Sequence, residues 1–199
     1  MKDRQTGELH WGRWSYPGAR YFISFCTGER KRGLEDPLIT DPILRAAQKS
    51  DELSDTETFA FTVMPDHVHW LFRLGARLSL GRVIARLKAE ARDELAKRGM
   101  EWQRDFFERQ LRAEDSAEPY GFYIFMNPYW DGFVTPDEIW KGWWCPNADR
   151  FEFLGNLKPN GTPPASWLAE DPRAERKSRG QRSQTGTQQD CAPTKSNGA

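Results

Sequence analysis

TFAFTVMPDHVHWLFRL, residues 58–74, sets two runs of β-branched and aromatic residues on either side of Pro65-Asp66. In the first run Phe59, Phe61 and Val63 alternate with Ala60 and Thr62; in the second, Val68, Trp70, Phe72 and Leu74 alternate with His67, His69, Leu71 and Arg73. A period of two is the period of a strand, because successive side chains point to opposite faces of a sheet. With Pro65-Asp66 as the turn, the stretch predicts an antiparallel hairpin.

The segments around the hairpin complete the pattern. Arg20 to Cys26 places Tyr21, Ile23 and Phe25 on one face and reads as a first strand. Asp41-Pro42 is expected to open a helix running to about residue 50. After the hairpin, Leu80, Val83, Ile84, Leu87, Ala91 and Leu95 recur at helical spacing, with Ser79 as a cap and Gly99 as a stop. Trp102 to Leu111 is a fourth strand. A short helix then follows from Asp115 or Glu118 to Asn127, where Pro128 is expected to end it. The order β-α-β-β-α-β with one more helix is an α+β, ferredoxin-like split βαβ arrangement: an antiparallel sheet with helices on one face. The other face is left for chemistry.

The chain has 199 residues, the size of one domain with appendages. Residues 1–168 are expected to form that domain, and 169–199, rich in Arg, Lys, Ser, Gln and Gly, a disordered polar and basic tail. Twenty-nine basic residues balance 29 acidic ones, so any nucleic-acid surface has to be local. Cys26, Cys145 and Cys191 form no CxxC pair, which argues against a disulfide scaffold or a zinc finger. No stretch reads as a signal peptide or a membrane span, and the expected location is the cytoplasm with no membrane partner.

Two of the chain's three histidines are His67 and His69. Same-face neighbours on a strand are only about 7 Å apart, so the two imidazoles can reach one cation. Two polar residues facing water would also explain the pair. Tyr123 and Asn127 are four apart on the last helix and so share a face. Asn127 offers a carbonyl oxygen that, with the imidazoles, makes an open three-ligand site suited to Mg²⁺ or Mn²⁺. Tyr123 offers a phenolic oxygen able to form a covalent intermediate, or simply a ring for packing.

The combination resembles the HUH single-tyrosine transposases, and within them the REP-associated tyrosine transposases. Gly18-Ala-Arg-Tyr-Phe-Ile-Ser-Phe-Cys-Thr followed by Arg30 is similar to the family's first strand and the basic position after it. Met64-Pro-Asp-His-Val-His is similar to its Pro-acidic-His-hydrophobic-His hairpin. Trp102 to Arg112 is similar to its Trp-Gln strand, and Tyr123-Ile-Phe-Met-Asn127-Pro128 with Gly132-Phe-Val134 to its nucleophile helix and exit. The resemblance spans about residues 15 to 135. Two positions depart from it: Arg109 stands where the family often has His, and Trp130 where it usually has a basic residue.

The resemblance implies a metal-dependent single-stranded DNA endonuclease and strand transferase, acting beside DNA hairpins through a 5′-phosphotyrosine. It implies His67, His69 and Asn127 as ligands of Mg²⁺ or Mn²⁺, Tyr123 as nucleophile, and a monomer rather than a helix-exchanging dimer. Arg73, Arg82, Arg86 and Arg112 are candidates for DNA backbone contacts and Trp130 for base stacking. The rival reading is a non-catalytic single-stranded nucleic-acid-binding module on the same fold. A metal-dependent hydrolase using water is a third.

Overall fold

A computed structural model describes residues 15–173. Its centre is a five-stranded antiparallel sheet in the order β4-β1-β3-β2-β5. The strands are β1 (Arg20–Cys26), β2 (Thr56–Val63), β3 (His67–Leu74), β4 (Phe107–Leu111) and the short β5 (Trp143–Trp144). Four of these, in the order 4-1-3-2, form the expected ferredoxin-like sheet; β5 extends its β2 edge and is not foreseen by the alternation. The hairpin is as read: Val63 pairs with Val68, and Thr62 with His69.

One register shift matters. A bulge between Thr58 and Ala60 breaks the alternation of β2. Phe59 therefore joins the cluster on the histidine side of the sheet, whereas Phe61 and Val63 stay on the opposite side.

That opposite side packs against α1 (Pro37–Glu52), α2 (Leu80–Glu90) and α3 (Arg92–Lys97). Helix α1 starts before the expected Asp41: Asp36 caps it by accepting from Leu38 N, with Pro37 just inside, and Pro42 is carried within the second turn. The single helix expected after residue 79 is two, broken at Ala91. Ser79 makes no side-chain cap bond; Leu80 N donates instead to Ser15 Oγ.

Helix α4 (Glu118–Trp130) covers the histidine side. Pro128 does not stop it. A proline removes one hydrogen bond, but buried packing on both sides of it, from Met126 to Tyr129, carries the helix a further turn. The second face of the sheet is thus occupied rather than open. The fit of α4 depends on Gly121, where a Cβ would lie 2.3 Å from the Phe151 ring. Of the expected tail, residues 169–173 are described, following a 3₁₀ turn at Ala165–Glu170; the remainder lies outside the described residues. Among the described residues no helix is long and apolar enough to cross a membrane.

Candidate active site

His67 and His69 project from the first half of β3 onto the face covered by α4. Their Nε2 atoms converge to 3.0 Å, with the rings nearly perpendicular. Behind His67, Nδ1 lies 2.7 Å from Asp66 Oδ1, and Asp66 Oδ2 is 2.8 Å from Arg30 Nε. His69 has no such partner. It is held by rings: Phe22 stacks on it at 5.5 Å and Tyr123 meets it edge-on at 5.3 Å between centroids. Register sets Ser24 of β1 and Thr62 of β2 abreast of His69. Their hydroxyls, His69 Nδ1 and Asn127 Nδ2 are all buried without a hydrogen-bond partner among the protein atoms.

Tyr123 is 2% exposed, and His69 and Asn127 are fully buried. Helix α4 thus brings the tyrosine onto the histidine pair, with Asn127 one turn further on. What holds Asn127 is the end of the described chain: Arg173 Nη1 donates to Asn127 Oδ1 at 3.0 Å. The same guanidinium pairs with Asp131 and Asp171 and lies over the Trp130 ring. Burial alone would lower the Arg173 pKa, but its bonds to Asp171 and Asp131 more than offset that and raise it. For Asp66, burial is likewise the largest influence and acts upward, yet His67 and Arg30 together bring the carboxyl below its ordinary value.

Burial, and then the neighbouring basic groups His67, Arg30 and Arg173, hold His69 well below the ordinary histidine value of 6.5. The folded chain therefore keeps His69 neutral where the unfolded chain would take up a proton. Because the unfolded state binds more protons below that value, stability is expected to fall on acidification, by up to about 1.4 kcal/mol per pH unit from this group. Urea unfolding at about pH 7 and about pH 5.5 checks this, with His69→Gln expected to flatten the difference.

The donor set fits a divalent cation. Two ligand bonds of roughly 2.1 Å at right angles put their donor atoms about 3.0 Å apart, which is the spacing of the two Nε2 atoms. Among the described residues no cluster of three His, Cys, Asp or Glu could hold a metal, so a third protein donor has to be of another type. Asn127 Oδ1 is such a donor, at present bonded to Arg173.

The other sequence candidates scatter. Arg73 lies on the histidine face but at the far end of β3, exposed and paired with Glu57 at 2.7 Å. Arg82 and Arg86 ride on α2, across the sheet from the histidines; Arg86 pairs with the buried Asp55. Arg112 is exposed beyond the end of β4. Trp130 is half-buried, its Nε1 donating to Trp167 O and its ring against Phe122 and Tyr123. Sequence reasoning missed Asp66 and Arg173. An acidic residue directly before a histidine at a hairpin turn was an available sign of the first; for the second, an arginine in a polar run, no local sign existed.

Residues 15–116 match the family model described as "Transposase IS200 like". The matched span contains both histidines and stops just short of α4. A protein of Haemophilus influenzae (strain Rd) named as a REP-associated tyrosine transposase is 28% identical over 141 residues, covering 63% of this chain and 77% of the relative. Among solved structures, a REP-associated tyrosine transposase bound to a REP hairpin superposes with a TM-score of 0.52 at 20% identity, covering 63% of this chain and 75% of that one. At that identity the superposition speaks for the fold alone.

Proposed function

Because this chain belongs to the IS200-like transposase family, enzymes that nick and join DNA, we propose that it is a divalent-metal-dependent endonuclease and strand transferase for single-stranded DNA. The observation that carries this reading is the convergence of the two Nε2 atoms to 3.0 Å with the Tyr123 ring packed on His69. A structural histidine pair needs no tyrosine packed on it.

His67, His69 and Asn127 would hold Mg²⁺ or Mn²⁺, whose contribution when bound is to polarise the scissile phosphate and offset charge on its oxygens. Tyr123 Oη attacks phosphorus and loses its proton. The P–O3′ bond breaks, O3′ leaves as a hydroxyl after taking up a proton, and the 5′ phosphate stays on Tyr123. Attack by a 3′ hydroxyl on this phosphotyrosine reverses the step, joins the strands and restores the tyrosine without ATP. The neutral state of His69 suits it as a ligand, since a protonated imidazole has no electron pair to give.

The substrate proposed is single-stranded DNA beside a hairpin, by analogy with the hairpin in the matched transposase complex, and the enzyme is proposed to act as a monomer. Arg73 and Arg112, both exposed, remain the proposed backbone contacts. Arg82 and Arg86 would meet DNA only if it wraps to the far face. Trp130 would stack a base only after parting from Trp167 and Arg173.

A labelled hairpin with a single-stranded flank, incubated with Mn²⁺, is expected to yield a covalent protein–DNA adduct resistant to denaturant. Cleavage without an adduct would mean hydrolysis by water, and binding without cleavage a binding module; either overturns the proposal. A second expectation concerns Arg173. It holds the oxygen that the third ligand position needs, so Arg173→Ala should tighten Mn²⁺ binding. A hydrogen bond to a charged group contributes at least about 1.4 kcal/mol, which is roughly tenfold in affinity. Titration followed by the electron paramagnetic resonance of Mn²⁺ measures it.

A further inference from the structure

The geometry points to Asp66 and Arg30 as positioning residues for His67, an outer pair that decides which of its ring nitrogens faces the site. The purpose of this pair rests on the metal-site reading above; its existence can be tested without metal.

The Asp66 carboxylate can only accept a hydrogen bond, so at 2.7 Å from His67 Nδ1 it keeps the ring proton on that nitrogen. The electron pair of Nε2 is then directed into the site, toward His69 Nε2 at 3.0 Å. The Asp66 carboxylate is itself held by Arg30 Nε at 2.8 Å, on its other oxygen. With His67 on one oxygen and Arg30 on the other, the carboxylate plane, and with it the imidazole plane, is set from behind.

The backbone around Arg30 is built for this contact. Glu29 and Arg30 are consecutive non-glycine residues in the left-handed region, at φ 53° and 57°. Such residues cost on the order of 1 kcal/mol or more each and persist only where surrounding bonds impose them. Those bonds run to the hairpin turn. Thr27 N donates to Asp66 O while Thr27 Oγ1 donates to Lys31 O within the loop, and Gly33 N and Leu34 N donate to Pro65 O. The loop between them is thus tied at both ends to the turn that carries Asp66, and its strained residues bring the Arg30 side chain back over that turn. Arg30 Nη1 completes the placement on Cys26 Sγ, whose residue pairs with His67 across the strands.

His69 supplies the contrast within the same site. No side chain bonds its Nδ1 from behind: that nitrogen is buried with no hydrogen-bond partner. Asp66 thus prepares the ring of His67 in advance, whereas no hydrogen bond behind His69 selects its tautomer.

The test uses two measurements on the full chain. Long-range ¹H–¹⁵N spectra of the metal-free protein are expected to show His67 protonated on Nδ1 and not on Nε2. In Asp66→Ala the His67 signature should spread over both tautomers, and Mn²⁺ affinity should fall about 10- to 100-fold, the usual effect of losing an outer-sphere partner. Arg30→Ala, which keeps the carboxylate but loosens it, should fall between wild type and Asp66→Ala. The turn is held through the carbonyls of Pro65 and Asp66, so these variants are expected to fold. A His67 tautomer unchanged in Asp66→Ala, or Mn²⁺ affinity undiminished in that variant, overturns the inference and leaves the proposed function standing. A wild-type chain that binds no Mn²⁺ but shows the tautomer change does the reverse.

Discussion

Tyr123→Phe is expected to abolish the covalent protein–DNA adduct and to lower strand cleavage by at least ~10⁴-fold, the scale of loss when a catalytic nucleophile is removed. The substitution deletes one oxygen and leaves the ring in place. That ring is what packs, against His69 at 5.3 Å, Phe22 at 6.2 Å and Trp130 at 6.3 Å. Stability should therefore stay within about 1.5 kcal/mol of wild type, the usual limit for a hydrogen-bonding group lost without a change of shape. The pairing of a preserved fold with a vanished adduct separates a nucleophile from a packing residue. Gel mobility of a radiolabelled hairpin after denaturation measures the adduct, and thermal unfolding measures the fold. An adduct of undiminished yield in the Phe variant would sink the assignment.

His69→Ala should remove measurable Mn²⁺ binding, a loss larger than the ~100-fold that follows removal of an outer-sphere partner, and chelation of the wild type should stop cleavage to the same extent. His69 is fully buried, so the Ala variant also leaves a cavity beneath Phe22 and Tyr123, at a cost of about 2–5 kcal/mol. His69→Asn fills more of that space and is the better control. It should fold more stably than the Ala variant while still binding Mn²⁺ poorly. Mn²⁺ binding at wild-type strength in both variants would show that the two imidazoles face each other for a reason other than a cation. The Arg173→Ala titration complements this, since one change removes a proposed ligand and the other uncovers one.

The fold was legible because its signals are local. Alternation in 58–74 and helical spacing in 80–95 depend on residues close in sequence, and they set the hairpin, the helix after it and the shared face of His67 and His69 before any packing is known. The same locality explains the errors. The bulge at Phe59 answers to pairing with β3, and α4 runs through Pro128 because its buried flanks outweigh one missing hydrogen bond. The break at Ala91 sits inside a spacing that reads as continuous.

The candidate site divides along the same line. Its residue types, two imidazoles, a phenol and a carboxamide, were present in two motifs more than fifty residues apart. Their meeting was decided by α4 lying across β3, which depends on clusters gathered from Phe22, Leu71, Phe151 and Phe153. Arg30 reaching Asp66 through a strained loop, Arg173 reaching Asn127 from the end of the described chain, and Arg86 being drawn to Asp55 on the far face are likewise long-range contacts. By itself the sequence determined four of the five strands, the histidine face and the inventory of chemistry, because strand and helix periods are written residue by residue. Which groups oppose one another, which lone pair is presented and which oxygen is already taken were decided only by tertiary structure, because those depend on where distant segments pack.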